Sequence, residues 1–433
     1  MHVTQQTLDD LNEFSGHHLR LHLESSADGT AEPAVSTDTN DVALIVRLTP
    51  GEGDLAAILD DKEPVLAVTY PPNTLPTTST SSSSRLATFV ADELRAIFAE
   101  EQTIVASLLS SRDARLPANE AADLANRITR SLRYAPTYHL TFSLFTDGPA
   151  PNAWDIDAAI ADYIRPVLNV LSPIHRFTMD TQVQLYATPG VQTQVLNKDD
   201  LAAFINAAEW PLSPSIGSAP TINFLVFVGN QTIALGDGAS GEHSAQQTSQ
   251  SWLIPQWGAV YLLPAPGGPS LEFLSSSDLK QPMLAFTGHL LTLLGAPLTG
   301  SLPLRLSTLS RLRSADVLLR ASSTLGALAR LVHALPSISI PSSVADGVSK
   351  TMTHLELACK SLGGPESLVN GRIAEQEAER AFFEKSMVGQ LYFPEEHKIA
   401  VYLPLLGPVG VPLVMGLVNE VKRWMRDRRE RTK

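Results

Sequence analysis

The order of apolar and polar positions changes period several times along the chain. In "HHLRLHLES", Leu19, Leu21 and Leu23 fall on one side of an extended segment. His18, Arg20, His22 and Glu24 fall on the other, a pattern that predicts a strand. "DVALIVRLTP" and "EPVLAVTYPP" are valine-rich apolar runs closed by prolines, and they predict two more strands. Residues 71–85 are rich in Pro, Ser and Thr and read as a loop. From Leu86 to about Ser111 the period becomes helical through Leu86, Phe89, Val90, Leu94, Ile97 and Phe98. A second helix is expected from Ala118 to Leu132, with Pro117 near its start.

The next stretch suggests a βαβ unit. "TYHLTFSLF" puts Tyr138, Leu140, Phe142 and Leu144 on one face of a strand. "WDIDAAIADYIRPVLNVLS" reads as a helix bent or interrupted at Pro166. "RFTMDTQVQLYA" is another strand, and a short helix follows at 198–207. "TINFLVFVG" and "QTIAL" predict a hairpin around Gly229 and Asn230, and "SWLIPQWGAVYLLP" two short strands separated by Pro255. Together these elements predict a mixed α/β (α+β) region, residues 1–275, whose mixed sheet is flanked by helices. After Ser275 leucines recur at helical spacing up to Pro336, and further helices are expected from Pro341 to Ser361 and from Pro365 to about Lys385. Residues 276–395 therefore read as a helical hairpin or bundle, whose leucine stripe is core.

The last pattern is different. Ile399 to Val418 carries no charge, and twenty residues at 1.5 Å each span about 30 Å, the thickness of a bilayer core. Trp424 and Lys422, Arg423, Arg426, Arg428 and Arg429 follow. This predicts a C-terminal transmembrane helix over 396–421 and a basic cytosolic tail over 422–433. A core helix of a soluble protein is the alternative. Pro404, Pro408 and Pro412 would each damage such a helix, whereas neighbouring helices in a membrane can satisfy the freed carbonyls. Those prolines, spaced by four, share one stripe, and Gly407, Gly410 and Gly416 add positions of close approach. The stripe is expected to pack against other membrane helices.

Charge sharpens the topology. The chain has 433 residues and a net charge of −13, which disfavours nucleic acid as a partner, while its last twelve residues are basic. Arginines after the span place the tail in the cytosol and the acidic body across the membrane. "MHVTQQTLDDLNEF" has no secretory signal to bring it there, so the expectation is that either the positive-inside tendency fails here or an N-terminal segment is missing. Asn230-Gln-Thr232 is the one N-x-S/T sequon, a glycosylation site if that segment is lumenal.

Local catalytic motifs are scarce. "GDGASG" matches G-x-G-x-x-G through Gly236, Gly238 and Gly241, but no helical pattern follows, so it reads as a loop. His18 and His22 would lie roughly 13 Å apart along a strand, too far to share a metal ion. The adjacent acids Asp60-Asp61 and Glu395-Glu396 read as surface charge. The lone cysteine, Cys359, reads as a small buried hydrophobe. No H-E-x-x-H, G-x-S-x-G, P-loop or paired-cysteine zinc motif occurs. No catalytic, cofactor or metal site is expected, although a dispersed hydrolase site or a tail-anchored adaptor are alternatives.

"AFFEKSMVGQLYFPEEHKIAVYLPLLGPVGVPL" (381–413) resembles the C-terminal signature of the PIG-S family, subunits of the glycosylphosphatidylinositol (GPI) transamidase. "YHLTFSLF", Trp154-Asp155-Ile156, "YIRPVLNVLSPIHRF", "AAEWPL" and "SWLIPQWGAVYL" are similar to that family too, and the resemblance runs from about residue 40 to 421. It implies a large lumenal domain between two membrane helices in the endoplasmic reticulum; this sequence departs from the pattern in lacking the first helix. It also implies a non-catalytic role in attaching GPI to the C-termini of precursor proteins. The implied partners are the other transamidase subunits, among them a cysteine protease-like catalytic one, with the GPI lipid or the precursor as further contacts.

Overall fold

The computed structural model describes residues 1–12, 17–22, 42–75, 84–109, 131–206, 210, 217, 219–234, 248–264, 272–335, 339–362, 364–385, 387 and 395–431. The expected helix 118–132 up to residue 130, and the glycines 236, 238 and 241, lie outside them. The chain forms two compact units, residues 1–316 with 361–368, and residues 317–360 with 369–433.

The first unit begins with α1 (His2–Asp10) and a three-stranded sheet of β1 (Ile45–Pro50), β2 (Ala56–Leu59) and β3 (Val65–Tyr70). The central strand β3 runs parallel to β1 and antiparallel to β2. Helix α2 (Arg85–Leu109) buries Leu86, Val90, Leu94 and Phe98 against Leu66 and Val68 of the sheet and Leu8 of α1. Each such side chain, fully buried, contributes about 1.5–3 kcal/mol. The strand expected over 17–25 does not form in residues 17–22. There the side chain of Gln5 takes the place of a neighbouring strand. Its Nε2 donates to the Leu19 carbonyl and its Oε1 accepts the Leu21 N–H, both at 2.9 Å. Leu19 and Leu21 still pack on the α2 core.

The main sheet has five strands in the order β11-β12-β8-β4-β6. They are β4 (Thr137–Thr146), β6 (Arg176–Gln184), β8 (Thr221–Val228), β11 (Ser251–Ile254) and β12 (Gly258–Leu263). All neighbours are parallel except the β11–β12 hairpin. That hairpin closes through Pro255–Trp257, and Gly258 is required where it returns. Its φ is +152°, and a Cβ there would sit 1.8 Å from the Asn223 carbonyl oxygen.

The crossover from β4 to β6 is the expected βαβ unit. It consists of α3 (Ile156–Ala159), a π turn (Ile160–Ile164) and α4 (Arg165–Leu171). The interruption precedes Pro166, whose ring cannot donate a helical bond and would clash with the carbonyl four residues back; a widened turn relieves both.

Both faces of β4 are covered. Phe142 stacks on Phe224 with ring centres 5.3 Å apart, and both rings meet Phe286 of α6 (Lys280–Leu293). On the opposite face Phe145, Phe204, Trp210, Phe227 and Trp252 form an aromatic cluster. The one-sided alternation read in the sequence therefore describes half of a central strand.

The expected hairpin of β8 with β9 (Thr232–Ala234) is absent. The Gly229 N–H continues the ladder to the Leu263 carbonyl, while the Thr232 N–H bonds the Gln194 carbonyl. β9 thus joins a separate small sheet with β7 (Val195–Leu196) and β10 (Thr248–Ser249). Two shorter elements complete this part, α5 (Asp200–Ala203) and the parallel pair β5 (Ala153–Trp154) with β13 (Phe273–Leu274).

The second unit is helical. It contains α7 (Leu302–Ala334) from Val317 onward, α8 (Ser342–Lys360), α9 (Pro365–Phe382) from Val369 onward, and α10 (Glu395–Glu430). Leu328, Val344, Ala381 and Met387 form its core. Gly347 lets α8 approach α9 closely, since a Cβ there would lie 3.0 Å from that of Ala381. Cys359 is exposed, not buried as expected. Ala358 occupies the buried position of that turn, and one residue further the helix has rotated about 100° away from the core.

Candidate functional site

Two polar constellations stand out in the first unit, and both join residues far apart in sequence. The first lies on β4 and β6. Register places His139 opposite Thr178, Thr141 opposite Asp180 and Ser143 opposite Gln182. The His139 ring bridges the two strands, with Nδ1 2.8 Å from the Thr178 hydroxyl and Nε2 3.0 Å from an Asp180 carboxylate oxygen. Gln182 Nε2 donates to the Ser143 hydroxyl at 2.8 Å. A cavity of about 630 Å³ opens beside this row, lined also by Asp157 and Arg165 of the crossover.

Hydroxyl, imidazole and carboxylate in that order match the connectivity of a nucleophilic triad. The electrostatics do not match. The Asp180 side chain is 71% exposed, so water competes for its charge, whereas a working triad buries the carboxylate that orients its histidine. The cluster fastens the edge strand to its neighbour and presents a polar, mixed-charge surface.

The second constellation is buried. Glu101 of α2 is 4% exposed and receives two hydrogen bonds from Arg311 of α7, at 2.7 and 2.6 Å. His17 Nε2 lies 3.6 Å from the same carboxylate, and the Thr308 hydroxyl accepts from Arg311. Burial pushes the Glu101 carboxyl up, but the bonds from Arg311 and His17 outweigh it and hold its pKa at about 2. An ion pair this enclosed on a helix–helix contact is architectural.

The residues singled out in the sequence fall elsewhere. Asn230 is exposed in the bend after β8. Pro404, Gly407, Pro408, Pro412 and Gly416 all lie within α10, which stays helical through its prolines. The four of them other than Gly407 are exposed, and a Cβ at Gly407, Gly410 or Gly416 would meet nothing. Leu403, Leu406, Val409, Val411, Leu413 and Val414 on the same helix are at least 60% exposed. Lys422, Arg423, Arg426, Arg428 and Arg429 are exposed near its end, with the Arg428 guanidinium 5.1 Å from the centre of the Trp424 ring. Among the described residues no helix is long and apolar enough to cross a membrane. The uncharged run Ile399–Val418 includes positions 399–401 and 405, whose side chains fall outside the described set. The acidic pair Asp60-Asp61 is exposed, as expected. Asp60 accepts the backbone N–H groups of Glu63 and Lys62, and these hold its carboxyl below the ordinary range. No group of three or more potential metal ligands occurs among the described residues.

The profile of the PIG-S family, described as phosphatidylinositol-glycan biosynthesis class S protein, matches residues 1–427. A Schizosaccharomyces pombe protein named GPI transamidase component PIG-S homolog is 29% identical over 318 residues, 69% of this chain and 56% of that protein. The human GPI-anchor transamidase component PIGS is 30% identical over 326 residues, 67% of this chain and 58% of that protein. Saccharomyces cerevisiae GPI transamidase component GPI17 is 30% identical over 327 residues, with 67% and 59% covered. The chain thus spans less than three-fifths of the length of these relatives.

Proposed function

The chain belongs to the PIG-S family, and we propose that it is a non-catalytic subunit of the GPI transamidase, supporting GPI attachment to precursor C-termini in the endoplasmic reticulum. The family match over residues 1–427 carries this reading, together with relatives that are each named as a component of that enzyme. The exposed carboxylate of the His139 cluster favours an accessory role over a hydrolase. Transamidation itself then belongs to another subunit, the cysteine protease-like one.

In this reading α10 crosses the membrane with residues 396–421, supported by the uncharged run Ile399–Val418 and by the exposed apolar side chains around it. The basic residues 422–433 lie in the cytosol and the body lies in the lumen. The stripe of Pro404, Pro408 and Pro412, with Gly407 and Gly416, meets membrane helices of other subunits. Asn230, exposed on a lumenal surface, carries a glycan. The body positions precursor protein or GPI lipid for the catalytic subunit.

Depleting the chain in its own cells tests the function. The expected result is accumulation of precursors that keep their C-terminal signal while GPI lipid synthesis continues. Normal processing of those precursors after depletion would refute the proposal.

A further inference from the structure

We infer that Lys422, Arg426 and Arg429 form a binding stripe for the headgroups of anionic lipids, in the leaflet through which α10 leaves the membrane. The inference rests on the membrane reading of α10 above. Its starting point is that the helix does not stop with the uncharged run but continues to Glu430. Between Val418 and Arg429 it carries five basic and two acidic residues, and the two signs are segregated around the helix. At 100° per residue, Arg426 lies about 40° to one side of Lys422 and Arg429 about 20° to the other. Glu420 and Asp427 lie about 140–160° away, on the opposite face. The three cations are exposed, so they form a narrow stripe that presents one sign of charge to the surroundings. Val418 and Met425, also exposed, border it with apolar surface.

The direction of the side chains selects a lipid over a soluble acidic partner. In an α-helix each Cα–Cβ bond tilts toward the N-terminus. This helix leaves the bilayer by its C-terminal end, so its terminal side chains lean back toward the membrane. Arg428 shows that lean. Its guanidinium lies 5.1 Å from the centre of the Trp424 ring, four residues nearer the span. At 1.5 Å per residue, Lys422, Arg426 and Arg429 stand about 1.5, 7.5 and 12 Å beyond the end of the span at residue 421. The headgroup layer is about 5–8 Å thick. A reach like that of Arg428, about 6 Å along the axis, brings even the Arg429 charge down into that layer. All three cations can therefore meet lipid phosphates at once, with Trp424 at the boundary. A zwitterionic headgroup offsets its phosphate with its own ammonium. An anionic one does not, so the stripe favours it.

Trp424 supplies the test. The full chain with its co-isolated subunits is placed in nanodiscs of phosphatidylcholine containing, at equal mole fraction, either brominated phosphatidylserine or brominated phosphatidylcholine. Subtracting the signal of Trp424→Phe isolates quenching at this one tryptophan. Quenching is expected to report at least ~5-fold enrichment of the anionic lipid beside the helix, the ratio that one lysine or arginine supplies at an anionic surface. High salt should abolish the preference. Removing two charges of the stripe, Arg426→Gln with Arg429→Gln, should reduce it several-fold. Removing two charges from elsewhere on the same helix, Arg423→Gln with Arg431→Gln, should leave most of it. Equal losses in the two double variants would overturn the stripe, since net charge alone would then explain the preference. Equal quenching by both brominated lipids in the wild type would overturn the lipid site while leaving α10 in the membrane. Quenching of Trp424 by neither lipid would instead defeat the membrane reading itself.

Discussion

Strand β4 and helix α10 are both rich in apolar side chains, yet their surroundings are opposite. Tyr138, Leu140, Phe142, Leu144 and Phe145 of β4 are fully buried by their own chain. Leu403, Leu406, Val409, Leu413 and Val414 of α10 are at least 60% exposed. The hydrophobic effect acts on both alike, so the difference lies in what supplies the cover. For β4 it is the aromatic layers on either face. For α10 nothing within the described residues does, and an apolar surface of that kind marks a membrane or a protein partner.

The comparison breaks first in the core. Phe142→Ala removes a ring held between Phe224 and Phe286 and is expected to cost about 3–5 kcal/mol in chemical denaturation. A cost below about 1 kcal/mol would mean that the two aromatic layers do not hold the sheet.

The buried ion pair comes next. Glu101→Ala strands Arg311 in the interior and is expected to destabilise by about 3 kcal/mol or more. The same pair sets an acid limit. The folded pKa of Glu101, about 2, lies below its ordinary 4.5, so the folded state favours the ionised form. Its contribution, about 3 kcal/mol, is complete above pH ~4.5 and is lost as pH falls from there through ~2. The wild type should lose stability over that window in acid denaturation, and Glu101→Ala should lack this component.

In α10 the expectation reverses. Val409→Arg would leave the fold of an exposed helix intact but add about 2.5–3.5 kcal/mol to insertion at a bilayer centre. Carbonate-resistant membrane association should fall, with urea denaturation of the body unchanged. Unaltered membrane association would remove α10 from the bilayer. Smallest of all is Cys359→Ala, at an exposed position with no assigned role, expected to change stability by less than about 0.5 kcal/mol and to leave transamidation intact. A dead complex would overturn that reading of the cysteine.

The same contrast explains what the sequence could carry. β4, α2, α7 and the β11–β12 hairpin have long periodic or turn-bounded patterns, and local pattern suffices for them. β2 is four residues, "AAIL", too short for a period to register. Residues 17–22 alternate like a strand, but the carboxamide of Gln5 intercepts their backbone bonds, which no periodicity reveals. β8 and β9 are separated by a good turn, yet each finds a better partner elsewhere. The polar constellations were invisible for a related reason. His139 meets Thr178 across 39 residues, and Arg311 meets Glu101 across 210. The place of β6 at the end of the sheet follows from strand order, which depends on every other strand. The family, by contrast, was legible in contiguous blocks of sequence such as 381–413.

The most direct test of the central claim is to tag the chain at its own locus, isolate it in mild detergent and weigh its companions. The account predicts a stoichiometric complex containing a cysteine protease-like subunit, with the tagged chain in the membrane fraction. A chain recovered alone, as a monomer without transamidase subunits, would contradict it.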